Sequence, residues 1–196
     1  MKKKNKWEDH YTIKARKEGY PARSVYKLME IQNKFKIIKK NSKIIDLGCC
    51  PGSWLMYSMQ LVKNPENIIG IDIQKCINEQ FSKVKIIQAD VNDFDAIKEN
   101  IPIVKFDVVL SDMAPDTIGM KSIDAYKSFE LCNSALKIAN DHLKINGNFV
   151  CKNFFGEDSQ TFFKSVKQNF KKFKLFKPQS IRKGSNEIYA IGLGKL

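Results

Sequence analysis

The 196-residue chain lacks paired cysteines, long apolar runs, glycine-rich linkers and internal repeats. Its five cysteines, Cys49, Cys50, Cys76, Cys132 and Cys151, are odd in number and never form a Cys-x-x-Cys pair. That argues against both a disulfide framework and a zinc site, so no metal is expected. Met1 to Lys6 is basic, yet no apolar stretch follows it, and neither secretion nor membrane spanning is expected. A reducing, cytoplasmic setting fits. With no linker to divide it, the chain is long enough for one domain that buries a sheet between two helical layers.

Acid is also missing where base is plentiful. Residues 159–186 hold 8 Lys and Arg and no Asp or Glu, and residues 1–40 hold 13 against 4. The intervening residues 41–158 hold 12 against 16, so the formal net charge of +13 sits on the flanks. A solvated, lysine-rich surface would account for this, but a polyanionic partner accounts for it better.

Short β-rich apolar runs alternate with longer segments of helical spacing, the pattern of an α/β sheet with crossover helices. Strands are expected near 43–48, 67–73, 83–89, 106–112, 147–154, 173–177 and 187–193. Phe129, Cys132, Leu136, Ala139 and Leu143 form a core-facing stripe on a helix over Ser122 to Lys144, ended by Asn146-Gly147. Phe162, Val166 and Phe170 form a second stripe, with Lys164, Lys167 and Lys171 on another face. Residues 1–40 read as a basic helical extension on an α/β domain spanning 41–196.

Ile44 to Trp54 reads as a buried strand, a tight turn and a helix start. Gly48 and Gly52 let the backbone approach a ligand there, and Asp46 places a carboxylate beside it. Asp72 ends the next strand, where a carboxylate can accept ribose hydroxyls, and Asp90 ends the third. A lone Asp after a strand is commonly a turn residue; three in register suggest a nucleoside site. A dinucleotide-binding oxidoreductase is the main rival, but the Gly-x-Gly-x-x-Gly turn is absent and nearby acids would repel a pyrophosphate. A cationic sulfonium ligand suits the turn better.

The fourth strand leads into Ser111-Asp112-Met113-Ala114-Pro115, and the fifth, Phe149 to Phe154, is interrupted by Lys152. An ammonium in such a run is costly unless it is paired or reaches water along its stem. If the two strands are neighbours, Lys152 and Asp112 meet beside the ligand.

These segments resemble the FtsJ family of ribosomal RNA 2′-O-ribose methyltransferases over nearly the whole chain. The resemblance rests on Ala22 to Ile31, the Asp46–Trp54 turn, Ser111 to Pro115, Val150 to Phe154, and Lys177, Pro178, Ser180, Arg182, Ser185, Glu187 and Tyr189. It implies a Rossmann-like methyltransferase fold, with a seven-stranded, mostly parallel sheet and helices on both faces. It also implies S-adenosylmethionine as cofactor and a Lys-Asp-Lys-Glu catalytic set on Lys27, Asp112, Lys152 and Glu187. Cofactor contacts are implied at Gly52, Trp54, Asp72, Asp90 and Asp112, joining Asp46 and Gly48 from the residue reading. Ser53 stands where the family usually has Gly, beside the methionine portion of the cofactor, and Asn186 where a relative has a basic residue.

The implied reaction is methyl transfer to a ribose 2′-hydroxyl of ribosomal RNA, at a uridine in the A-loop of the large ribosomal RNA. Lys152 would be the base, its ammonium disfavoured by Lys27 and the cationic cofactor, with Asp112 orienting it and Glu187 holding Lys27 or the ribose. The enzyme is expected to work on the assembled large ribosomal subunit as a monomer. The alternatives are a tRNA anticodon-loop methyltransferase and a non-catalytic RNA-binding module. The Asn/Asp-Pro-Pro-Tyr of adenine-N6 enzymes and the strand-borne Cys of cytosine-5 enzymes are both absent.

Overall fold

The computed structural model describes residues 9–76, 79–102 and 104–196; the basic residues at the start of the expected N-terminal extension lie outside these. In chain order come helices α1 (His10–Lys17) and α2 (Val25–Phe35), strand β1 (Ile44–Leu47), α3 (Ser53–Leu61), β2 (Ile68–Asp72) and β3 (Lys85–Gln88). There follow α4 (Phe94–Asn100), β4 (Phe106–Ser111), α5 (Lys121–His142), β5 (Leu143–Phe154), α6 (Ser159–Asn169), β6 (Phe170–Phe176) and β7 (Glu187–Lys195). The strands make one seven-stranded sheet in the order β3-β2-β1-β4-β5-β7-β6. The first five are parallel, and β7 inserts antiparallel between β5 and β6.

Because side chains alternate across a strand, the buried runs split between two cores. Ile45, Leu47, Val109, Phe149 and Cys151 pack with α4, α5 and α6 on one face. Ile44, Val108, Leu110, Val150 and Ile191 pack on the other with Leu28 and Ile31 of α2 and Leu55 of α3. Asp46, Asp72, Asp112, Lys152 and Glu187 fall at this second face's periodicity, at or just beyond the carboxyl ends of the parallel strands or at the start of β7. Alternation alone therefore gathers the chemistry-bearing side chains on the α2 side.

Two local expectations need correcting. The long helix ends at His142, and Leu143 opens β5 opposite Phe106. Phe106 pairs with Leu143 but Val108 pairs with Asn148, so β5 carries a bulge in which Asn146 adopts φ 66°. Asn146-Gly147 is thus a device inside a strand, because Leu143 is worth more buried against the sheet than added to the helix. Phe170 likewise opens β6 and stacks on Phe149 with ring centroids 5.9 Å apart.

No helix among the described residues is long and apolar enough to cross a membrane. None of their His, Cys, Asp and Glu side chains form a group of three or more suited to a metal ion.

Gly192 of β7 faces Phe170 so closely that an added Cβ would lie 2.6 Å from the ring. Gly192→Ala should destabilise the protein by about 1–3 kcal/mol in urea unfolding. Phe170→Leu should partly relieve that penalty, making the double variant more stable than the two single losses added together.

Candidate active site

The site is built around one carboxylate oxygen. Asp112 follows β4 and Lys152 lies on neighbouring β5, which brings the Lys152 ammonium to 3.2 Å from Asp112 Oδ1. The same ammonium donates to the Asp112 backbone carbonyl. Lys27, from the first turns of α2, reaches 3.5 Å from Asp112 Oδ1 and also pairs with Glu187 Oε1 at the start of β7. All four residues named from sequence as the catalytic set are therefore brought together, two ammoniums facing two carboxylates. Burial alone would raise the Asp112 carboxyl, but Lys152, Lys27 and the hydroxyl of Tyr189 outweigh it and hold it below its ordinary range.

Tyr189 is the member that residue-by-residue reading misses. Its fully buried hydroxyl lies 2.6 Å from Asp112 Oδ1 and 2.8 Å from Glu187 Oε1, with one proton to give between them. Burial, followed by the two carboxylates, pushes the phenol well up, so it stays a donor. In sequence it is only one apolar-looking position in a strand; its pairing with Lys152 across β5 and β7 is the signal, and that needs the register.

Beside this cluster, Gly48, Asp72, Asp90 and Asp112 line a cleft of about 440 Å³, with Asn92 and Met113. That volume is in the range of small-molecule sites. Asp72 Oδ2 accepts the Cys50 amide and Oδ1 the Gln74 amide, both at 2.8 Å, which fixes the carboxylate at the strand end. Asp90 Oδ1 accepts from the Asn92 amide at 2.9 Å. Asp46 is not among the residues lining the cleft; it is 1% exposed, and among the described residues neither of its oxygens has a hydrogen-bond partner. Desolvation first, then Asp112 and Asp72 nearby, drives its carboxyl well above the ordinary range. An orphaned buried carboxylate beside a nucleoside-sized cleft is a feature that a cationic ligand would satisfy.

Contacts within the protein fix the shape of the turn that leads from the first strand. Gly48, at φ 70°, makes its close approach to the Met113 side chain, where a Cβ would sit 2.5 Å from Cγ. Gly52, at φ 105°, approaches the ring of Phe81, with a Cβ 2.2 Å away. The Ser53 hydroxyl accepts from the Ala22 amide at 2.7 Å and donates to the Ala22 carbonyl at 3.0 Å. Trp54 donates its indole N–H to the Ser24 carbonyl at 2.9 Å and packs beside Tyr189. Gly52, Ser53 and Trp54 are not among the residues lining the cleft; they fasten this turn to Phe81 and to the segment entering α2.

That segment is held from a second side. Glu30 accepts the amides of Gln179 at 2.6 Å and Ser180 at 2.9 Å, and Arg23 bonds the Ser180 carbonyl and Asp9. Lys27 is thereby placed by contacts from both α3 and the β6–β7 loop. The Asn186 carbonyl accepts from the Phe155 amide at 2.9 Å.

The family model described as FtsJ-like methyltransferase matches residues 20–195. A protein of Desulfatibacillum aliphaticivorans named ribosomal RNA large subunit methyltransferase E is 49% identical over 196 residues, covering 99% of this chain and 94% of its own. One of the same name from a Wolbachia of Brugia malayi is 44% identical over 186 residues, covering 95% and 84%. A crystal structure described as a ribosomal RNA methyltransferase of Plasmodium falciparum superposes with a TM-score of 0.76 at 30% identity, covering 90% of this chain and 99% of its own. With a family match over nearly its whole length, close relatives of that family at 44–49% identity and a fold shared with a solved structure, the chain belongs to the FtsJ-like methyltransferase family.

Proposed function

We propose that the protein transfers a methyl group from S-adenosylmethionine to the 2′-hydroxyl of a ribose in large-subunit ribosomal RNA, a uridine of the A-loop. The observation that carries this reading is the meeting of Lys27, Lys152, Glu187 and Tyr189 around Asp112 at the mouth of an acid-lined cleft. The names of the relatives support ribosomal RNA as the acceptor. The basic N-terminal 40 residues would supply part of the RNA contact, and the setting would be the cytoplasm.

The cofactor supplies a methyl already made electrophilic by a sulfonium charge. Asp46 and Asp72, with Asp90 at the rim, would hold its cationic and hydroxyl-bearing parts. What remains for the chain is to align a weak nucleophile and take its proton. Lys152 is placed to accept the 2′-hydroxyl proton on Nζ as the ribose oxygen gains the methyl. Asp112, with a donor on either side and Tyr189 behind, fixes the direction of that nitrogen. Lys27, braced by Glu187, would position the ribose.

Lys152→Ala should lower kcat by roughly 10²-fold or more while leaving cofactor affinity within a few-fold by calorimetry. Near-wild-type methylation by the variant would remove Lys152 from the reaction.

Asp46→Asn separates binding from stability. Because the folded state holds this carboxyl protonated to a higher pH than the unfolded chain does, its contribution to stability is present below the unfolded value and lost as pH rises through the folded one. The ligand-free variant should therefore melt higher than wild type at neutral pH, by about 2 °C or more. That gap should close as pH falls toward about 4. Cofactor affinity should fall at the same time; an unchanged affinity would exclude Asp46 from the site.

Large ribosomal subunits lacking the mark should accept methyl from this enzyme, and transfer RNA should not. Mapping the modified nucleotide tests both the 2′-oxygen and the uridine.

A further inference from the structure

Several cations that take no part in the active-site cluster lie close together on β6 and the end of α2. In the register of β6 on β7, Lys172 lies opposite Leu193, Lys174 opposite Ile191 and Phe176 opposite Tyr189. Ile191 and Tyr189 belong to the core on the α2 side, so Lys172, Lys174 and Phe176 project on that side of the sheet. Here α2 covers the inner strands but only its last turn reaches β6, where Phe35 meets Phe176 edge-on at 5.5 Å. Lys34, two turns beyond Lys27, sits over the Phe176 ring at 4.7 Å. The result is a groove between the end of α2 and the outer face of an edge strand, with an aromatic floor and lysines on both walls.

These charges are not neutralised from within the described part of the protein. Among the described residues, Lys34, Lys36, Lys172 and Lys174 are exposed and none has a carboxylate within ion-pair distance. The nearest acid along α2, Glu30, commits its carboxylate to the Gln179 and Ser180 amides. The two same-face lysines of β6, Lys172 and Lys174, stand about 6.7 Å apart and make a short row of two cations. At its upper end the row meets Phe176, paired with Tyr189 of the catalytic cluster, and then Lys177 and Arg182 on the β6–β7 loop.

We propose that this groove binds the phosphate backbone of the substrate RNA beyond the acceptor nucleotide, giving the enzyme a second RNA-contacting surface that runs from the catalytic cluster down the outer face of β6. The proposal rests on RNA being the acceptor. Charge complementarity selects the occupant: a polyanion with regularly repeated charge is what an acid-free row of lysines attracts, and the exposed edge of the Phe35–Phe176 pair offers a surface for an unstacked base. Lysines on an edge strand also guard against strand pairing between molecules, and the experiment separates the two roles.

The test compares Lys34→Gln/Lys172→Gln/Lys174→Gln with a control that removes three lysines elsewhere, Lys63→Gln/Lys83→Gln/Lys98→Gln, from the α3–β2 connection, the segment before β3 and α4. Both variants have the same net charge. Binding of a large-subunit ribosomal RNA transcript is measured across a salt series, alongside methyl incorporation by the wild type. The groove variant should bind roughly tenfold more weakly at moderate salt, with the slope of log affinity against log salt reduced by about two to three, while the control changes little. Equal losses in the two variants, or a groove variant that aggregates sooner but keeps the wild-type salt slope, would overturn the proposal. Wild-type protein that binds the transcript but transfers no methyl to large ribosomal subunits lacking the mark would instead overturn the functional reading and leave the groove to be judged on the salt slopes.

Discussion

A single oxygen, Oδ1 of Asp112, organises the catalytic end of this protein. Two ammoniums and a phenol converge on it, and each comes from a different part of the chain: Lys27 from α2, Lys152 from β5 and Tyr189 from β7. Taking such charges out of water is expensive, and the expense is offset only when every partner is present and well placed. The cluster therefore demands that α2 be docked on the sheet with its first turns held firmly. The bonds from Ser53, Trp54, Glu30 and Arg23 meet that demand. Lys27 is held to the sheet by its neighbours' contacts as much as by its own.

Opposite needs meet within the one site. Asp112 is kept ionised by a surplus of donors, whereas Asp46 has none and is driven toward its neutral form by burial and by the other acids. The two environments divide the site into a half where charge is already balanced and a half where a positive charge is wanted. The asymmetry is fixed by the fold itself, which is the logic of electrostatic preorganisation.

The parts of this arrangement that were legible in the sequence are those governed by local pattern. Seven apolar runs mark the seven strands, and period-two alternation with acids at strand ends points Asp46, Asp72 and Asp112 at one crevice. Family resemblance supplied the pairing of Lys27 with Glu187, which no local pattern reveals. What escaped are features decided by distant partners. The helix over 121–142 stops where Leu143 finds Phe106, not at the Asn-Gly pair that looks like a stop signal. That Phe81 packs against Gly52, and that Ser53 bonds Ala22 from 31 positions away, are contacts no local pattern announces. Tyr189 looks like core because only its register against β5 carries its hydroxyl to Asp112.

The clasp between the cofactor turn and the entry to α2 is one-sided in what it asks of the sequence. Ser53 and Trp54 contribute side chains, but Ala22 and Ser24 answer with backbone groups that any residue at those positions would offer, proline at 22 apart. Positions 53 and 54 are thus chemically constrained, while 22 and 24 can drift in identity without loosening the joint. Two segments can stay in contact through long divergence with no correlated substitutions to betray it, and a turn can exchange its usual glycine for a serine without any matching change across the interface.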